Sequence, residues 1–268
     1  MEVLLLGTAA AEGIPAFYSD SRVSLYAREH GGRDVRTRSG ALVDGALKID
    51  LPPDTLMQMH REKLDARDWS ALLFTHGDDD HFAPRELQYC LFPFCEMEYV
   101  GFQIYGNDKV TDRIAFLYPD WPIEVIQTKS FESFRHADFT ITPIAANHNA
   151  KEDSQNHLIQ RAGQTLLYAT DTGIWRDSTW EFLADFKLDL LVIECTEGLL
   201  PDEYEGHLSA DEVLYVVDRL RNARILKPCA RVVTTHHSHN GNATYEELKT
   251  FLEPHGIEAG FDGMRIEI

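Results

Sequence analysis

Short apolar runs, most of them closed by a polar or acidic residue, recur along the chain and alternate with segments of helical period. Val3–Leu6 is a continuous apolar run of the buried-strand type. Ala41–Val43 and Ala46–Asp50 flank Asp44-Gly45, a pair that tolerates the positive φ of a type I′ turn, so the pattern predicts a hairpin. Between these features, Gly7–Ser39 reads as a long polar loop containing Gly31-Gly32, and a loop of that length usually has a function or moves. A helix is predicted from Pro53-Asp54 to about Lys63, followed by the apolar run Ser70–Phe74. Pro84–Leu91 reads as helical, Phe92–Tyr99 as a packed insertion or the mouth of a pocket, Val100–Tyr105 as a strand and Asp108–Leu117 as a helix. The second half repeats this grammar, with strands at Phe139–Ala146, His157–Gln160, Thr165–Ala169 and Leu188–Ile193. Helices are predicted at Ser178–Asp185, Ala210–Arg221 and Tyr245–Glu253. Strand, loop, then helix is a layered α/β order.

Composition narrows the partners. With 25 Lys and Arg against 44 Asp and Glu, the net charge of −19 repels long nucleic acid, although a local cationic site can still attract a small anion. The opening Met1–Leu6 has an acidic flank and too short an apolar stretch for a secretion signal, and no run is long enough to span a membrane. Cys90, Cys95, Cys195 and Cys229 lack zinc-type pair spacing and sit in or beside apolar segments, where buried thiols are the common outcome. A cytoplasmic location is the expectation.

The chemistry concentrates at strand ends. Thr75-His76-Gly77-Asp78-Asp79-Asp80-His81 follows the run that ends at Phe74 and places two imidazoles and up to three carboxylates in one loop. His148 follows Phe139–Ala146, Asp171 follows Thr165–Ala169, and His236-His237 follows Arg231–Thr234. Divalent metals need such donors fixed on rigid elements, and strand ends supply them without loss of sheet hydrogen bonds. Two ions about 3.5–4 Å apart hold a hydroxide between them and stabilise both entering and leaving oxygens of a displacement. Asp171 is the natural bridge, because one carboxylate between two dications reduces their repulsion. A bland alternative, a solvated turn with a capping Asp before Pro84–Leu91, explains any one of these residues but not the whole set. Since donors from His76 to His236 must converge, a single domain over residues 1–268 is expected.

The order Thr-His76-x-Asp78-x-Asp80-His81, His148, Asp171, His236 resembles the metallo-β-lactamase superfamily, whose first motif is His-x-His-x-Asp-His. The resemblance spans essentially the whole chain. It implies an α/β fold of αββα sandwich type with two divalent ions, zinc or manganese with iron also compatible, at one edge of the sheets. It further implies that His76, Asp78 and His148 hold the first ion, that Asp80, His81 and His236 hold the second, and that Asp171 bridges. The chain departs from the motif at Asp78, a harder anionic donor that should favour manganese or iron relative to an all-imidazole site. Asp79 is expected as a cap or an outer partner.

Ile193-Glu194-Cys195-Thr196 and Gly206-His207-Leu208-Ser209 resemble the His-Glu-Ala-Thr and Gly-His-Ser-Thr segments of the phosphodiesterase branch, which includes tRNase Z and the phosphodiesterase of the carbon-phosphorus lyase pathway. By that resemblance His207 contacts a non-bridging phosphate oxygen and protonates the leaving alkoxide while Glu194 orients its ring. Asp80 counts with them in the catalytic set as well as among the ligands. The plainer alternative has His207 and Ser209 simply starting the helix at Ala210, with Ser209 as cap. Small cyclic-phosphate phosphodiesterases also carry a Cys-x-Cys-x-x-Cys structural zinc cluster with a late histidine. Here Ser19, Ser21 and Ser24 stand in those places, so that zinc is expected to be absent and His239 to be a leftover or an outer partner. The same alignment selects His236 over His237 as the ligand. No basic arm for tRNA is present. Arg22, Arg28, Arg33, Arg36 and Arg38 either close over a phosphate or decorate a solvated loop. His30, His60, His136 and His255 read as surface residues, and His157 as an outer partner or a plain strand residue. Phe92, Phe94, Tyr99 and Phe102 read as core, with one or two lining the substrate mouth.

The leading expectation is hydrolysis of a small anionic phosphodiester, such as a cyclic phosphate, by a hydroxide held between the metals. One alternative is a lactonase or thioesterase using the same nucleophile, and another is a non-catalytic metal-binding relative, favoured by Asp78. The resemblance leaves a homodimer open.

Overall fold

In a computed structural model of the chain, residues 1–96, 101–200 and 204–268 are described. In chain order the strands are β1 (Glu2–Gly7), β2 (Gly40–Val43), β3 (Leu47–Ile49), β4 (Ala71–Leu73), β5 (Gln103–Gly106), β6 (Glu124–Gln127) and β7 (Phe134–His136). They continue as β8 (Phe139–Ala145), β9 (Gln155–Arg161), β10 (Gln164–Ala169), β11 (Leu188–Glu194), β12 (Leu226–Thr235), β13 (Glu258–Ala259) and β14 (Arg265–Glu267). The helices are α1 (Arg22–His30), α2 (Thr55–Glu62), α3 (Asp108–Leu117), α4 (Asp177–Leu183), α5 (Ala210–Asn222) and α6 (Tyr245–Leu252). Two seven-stranded sheets result, ordered β14-β1-β2-β3-β4-β5-β6 and β13-β12-β11-β10-β9-β8-β7.

Successive strand residues point to opposite faces, so a run apolar on both faces must be covered on both. Val3, Leu5, Val43 and Leu73 of the first sheet meet Ile141, Ile159, Tyr168 and Val192 of the second in the central core. Leu4, Leu72 and Ile104 turn outward against Val110 and Ile114 of α3. Leu167, Leu191 and Ile193 turn outward against Val213, Val217 and Leu220 of α5 and Leu248 and Leu252 of α6. Each such burial contributes roughly 1.5–3 kcal/mol, which makes these positions intolerant of polar replacement. The architecture is the αββα sandwich.

Strand direction places the site. β3, β4 and β5 run parallel, as do β10, β11 and β12, while β8 and β10 both run antiparallel to β9 and so point the same way. The loops after β8, β10, β11 and β12 therefore open at one edge of the second sheet. That edge is joined to the first sheet by Gln155 N–H donating to the Thr75 carbonyl, 2.8 Å, and by a bridge from Ala9 to His237.

Several expectations change. The hairpin forms with positive φ at Asp44 and Gly45, but Val43 pairs with Leu47, so three residues rather than two make its loop. The polar stretch 7–39 contains α1, capped by Ser21 and anchored by buried Val23, Ser24 and Ala27 at helical spacing. Pro84–Cys90 is a 3-10 helix. The short strands β6, β7, β13 and β14 lie outside the strong apolar runs. Phe102 is buried, whereas Phe92 and Phe94 are exposed rather than core; Tyr99 and Val100 lie outside the described residues. Cys195 is buried but Cys229 is exposed, and no disulfide forms among the described residues. The five early arginines brace the fold: Arg22 binds Glu247, Arg28 the Ser19 and Ala16 carbonyls, Arg33 the Tyr245 hydroxyl, Arg36 the Gly260 carbonyl and Arg38 Asp54. Among the described residues no helix is long and apolar enough to cross a membrane.

Candidate metal centre

The loop after β4 is held from below by Asp50, the residue that follows β3. Its carboxylate accepts from Thr75 N–H at 2.8 Å and from Thr75 Oγ1 at 3.0 Å, and it lies 2.7 Å from His81 Nδ1. Thr75 Oγ1 has one O–H to donate and donates it to the Asp50 carboxylate, so at 3.0 Å it accepts from His76 Nδ1. One buried carboxylate thus fixes the ring orientation of two histidines and leaves both Nε2 atoms facing inward. His236 is fixed the same way from the second sheet. Thr196 Oγ1 donates to Glu194 and so accepts from His236 Nδ1 at 2.9 Å. His148 Nδ1 lies 3.3 Å from the Gly206 carbonyl.

The inward atoms fall into three overlapping groups, the third being Asp171, His207 and His236. His76, His148 and Asp171 offer donors within 4.8 Å of one another, as do Asp80, His81 and His236. Asp78 Oδ2 stands 3.5 Å from His76 Nε2 and 3.4 Å from His148 Nε2. On the other side, Asp171 Oδ2 is 2.9 Å from His81 Nε2 and 3.2 Å from His236 Nε2, and Asp80 Oδ2 is 3.2 Å from His81 Nε2. Asp171 Oδ1 is 3.9 Å from His148 Nε2. All seven residues expected to bind metal are brought together. Asp79 is exposed.

The donor set fits divalent cations. Donors about 2.1 Å from one tetrahedral ion stand roughly 3.4 Å apart, which matches the spacings above. His76 Nε2 and Asp171 Oδ2 are buried without an aligned hydrogen bond despite these short separations, as donors aimed at a common point would be. The electrostatics agree. His148 and His76 hold the Asp78 carboxyl below the usual range, and Asp80 and Asp171 are held low against the opposing effect of burial, chiefly by His81 for Asp80 and by His236 and His81 for Asp171. Burial opposes protonation of His81, yet Asp171, Asp80 and Asp50 together raise its pKa well above the ordinary value. This pocket calls for positive charge.

His207 stands beside this centre. Its Nδ1 is 2.9 Å from Glu194 Oε1, and Glu194 also accepts from Thr172 N–H at 2.6 Å and Leu208 N–H at 3.0 Å. Burial lowers the His207 pKa, but the Glu194 carboxylate outweighs it and the net position is about 10. Ser209 caps α5 in a capping box with Glu212, and His207 lies outside that cap. The neighbouring His237 turns away: its N–H donates to the Thr8 carbonyl at 2.7 Å and its ring meets Thr234 Oγ1 at 3.4 Å. His157 is a buried β9 residue with Nε2 3.2 Å from the Phe74 carbonyl.

Sequence reasoning passed over Asp50, Thr75 and Thr196 as outer partners. Asp50 carried a signal, being an acidic residue at a strand end next to the motif, and Thr75 and Thr196 stand inside the two segments that carry the resemblance. In the stretch where the three serines stand, His239 Nδ1 lies 3.0 Å from Ser21 Oγ and its Nε2 3.5 Å from Glu12, a polar knot that ties this segment down.

Residues 47–237 match the sequence model of the Beta-lactamase superfamily domain. That is well over half of the chain, so the protein belongs to this superfamily, in its metallo-β-lactamase, metal-dependent hydrolase form. No curated protein sequence matches. Among solved structures, a diphosphatase from the PhnP family superposes with a TM-score of 0.77 at 22% identity, covering 100% of this chain and 98% of its own. Zinc-bound PqqB from Methylobacterium extorquens gives 0.76 at 18%, covering 100% of both chains. The short form of human tRNase Z gives 0.68 at 20%, covering 100% of this chain and 99% of its own.

Proposed function

We propose that the protein is a dinuclear metal hydrolase that cleaves a small phosphodiester. The observation that carries this reading is the Glu194–His207 pair, 2.9 Å apart at the edge of the donor cluster. His76, Asp78 and His148 would hold one ion, Asp80, His81 and His236 the other, with Asp171 shared. Two ions bound there would supply Lewis acidity toward phosphoryl oxygens and a water that ionises near neutral pH. Glu194 anchors the Nδ1–H of His207 and stabilises its imidazolium, so Nε2 carries a proton at neutral pH. That proton passes to the leaving alkoxide as the P–O bond breaks, and Glu194 keeps the ring in place. Asp50 and Thr196 hold the ligand histidines in their working tautomers. Carbonyl substrates expel leaving groups too, but a positioned imidazolium that the Glu194 carboxylate stabilises suits the strongly basic alkoxide of an alkyl phosphodiester. Two structural neighbours named as a diphosphatase and a tRNase support the choice of phosphorus. The net charge of −19 favours small anions over long nucleic acid, and the reduced cytoplasm is the proposed compartment.

The test is hydrolysis of bis(p-nitrophenyl) phosphate by manganese- or zinc-loaded protein, beside p-nitrophenyl phosphate and a simple lactone. Diester turnover that Asp171→Ala abolishes is expected. Lactone turnover alone would redirect the reading to carbonyl chemistry.

A further inference from the structure

Beyond His207 the row of rings continues. His148 and His207 have centroids 5.1 Å apart, His207 and His236 5.6 Å, and on the outer side Tyr204 lies 5.5 Å from His207 at an interplanar angle of 52°. Tyr204 is 54% exposed, although it adjoins a buried acid–base pair. Its placement is built in. The Cε1–Cζ edge and hydroxyl of Tyr204 lie 2.7–2.8 Å from where a Cβ on Gly206 would stand, so any larger residue at 206 would expel the ring. The chain just after it is held: the Glu205 carbonyl packs against Gly173 and accepts from Asn147 Nδ2 at 3.3 Å, and the Gly206 carbonyl faces His148. The ring of Tyr204 is therefore half-open to solvent while its centroid stands 5.5 Å from that of His207, the residue assigned to the leaving group.

We infer that Tyr204 is a stacking platform for a flat aromatic group of nucleobase type, carried on the leaving-alcohol side of the substrate. This rests on the phosphodiesterase reading and deepens it, making the substrate a nucleotide diester, such as a cyclic one, rather than a bare sugar or glycerol diester. Base–aromatic stacking is tolerant of base identity because every base offers a π-face, so preference for a base is predicted without strong choice among bases.

The experiment measures binding of adenosine 2′-phosphate and methyl ribofuranoside 2-phosphate to the metal-loaded protein by calorimetry, for wild type, Tyr204→Phe and Tyr204→Leu. Turnover of the two matching 2′,3′-cyclic diesters is followed by phosphorus NMR. The base should tighten binding roughly 5- to 150-fold in wild type and in Tyr204→Phe, and Tyr204→Leu should lose most of that gain. Circular dichroism checks that the leucine variant is folded. A base that adds nothing to affinity, or a leucine variant that keeps the whole gain, would overturn the inference. So would a phenylalanine variant that loses as much as leucine, since the hydroxyl and not the ring face would then be the contact. Absence of turnover for both diesters with base-dependent binding intact would sink the phosphodiesterase reading while supporting the platform.

Discussion

The two sheets repeat one strand order and use its ends differently. β1-β2-β3 and β8-β9-β10 are antiparallel, and each sheet then switches to parallel pairing, through β6 in the first and β13 in the second. Asp50 after β3 and Asp171 after β10 occupy matching places, both in the left-handed region with φ of 57° and 50°. Asp50 faces inward beneath the loop and fixes two histidines, while Asp171 reaches the donor cluster itself. The end of β4 delivers four donors on one loop; the matching end of β11 delivers Glu194 and Thr196, which hold His207 and His236 in place. A repeated scaffold is put to two uses: the first sheet supplies His76, Asp78, Asp80 and His81 with Asp50 beneath them, and the second supplies His148, Asp171 and His236 with Glu194 and Thr196 behind His207 and His236.

The sharpest way to break this comparison is to remove the carboxylate charge at each of the two aspartates in turn. Asp171→Asn should remove bound metal and lower kcat/KM by more than the roughly 10–100-fold usual for an outer partner, read by metal analysis and diester kinetics. Next in size, His207→Ala should lower kcat by about 10²–10⁴ while metal content holds. Glu194→Gln should shift the alkaline limb of the kcat profile to lower pH, because losing the carboxylate lowers the His207 pKa from its raised position. Asp50→Asn should weaken metal affinity roughly 10–100-fold at both sites together, since His76 and His81 share that one anchor; loss at one site alone would contradict the shared role.

The last effect lies in the scaffold and bears on stability rather than on the reaction. Lys48 of β3 is fully buried, its Nζ donating to the Ile49 and Asp50 carbonyls, and burial lowers its pKa from 10.5 to about 7. Between those values the unfolded chain holds the extra proton, so this group makes stability rise with pH from about 7 to about 10.5, by at most ~1.4 kcal/mol per unit. Lys48→Met should flatten that slope in denaturant titrations repeated across this range.

What could be read beforehand follows the same division. His76 to His81 stood out because four donors share one short loop, and Leu188–Ile193 or Val3–Leu6 because strands buried on both faces are continuously apolar. Asp171 and His236 needed the order of strand ends, and their roles as ligands came by resemblance. Asp50 and Thr196 were passed over because their work depends on contacts 25 to 40 residues away, between Asp50 and Thr75 and between Thr196 and His236. The helix α1 was hidden in a polar stretch since only one of its faces is buried, and β13 and β14 are too short to show a period. Phe92 and Phe94 misled, as their hydrophobicity suggested burial while the fold leaves them exposed.

The central claim is that both half-sheets converge on a single two-ion centre. Anomalous diffraction from manganese-loaded crystals tests it most directly. Two peaks are predicted, one among His76, Asp78, His148 and Asp171 and one among Asp80, His81, Asp171 and His236, with none at Ser21 and His239. A single peak, or a peak coordinated by His237 in place of His236, would contradict the account.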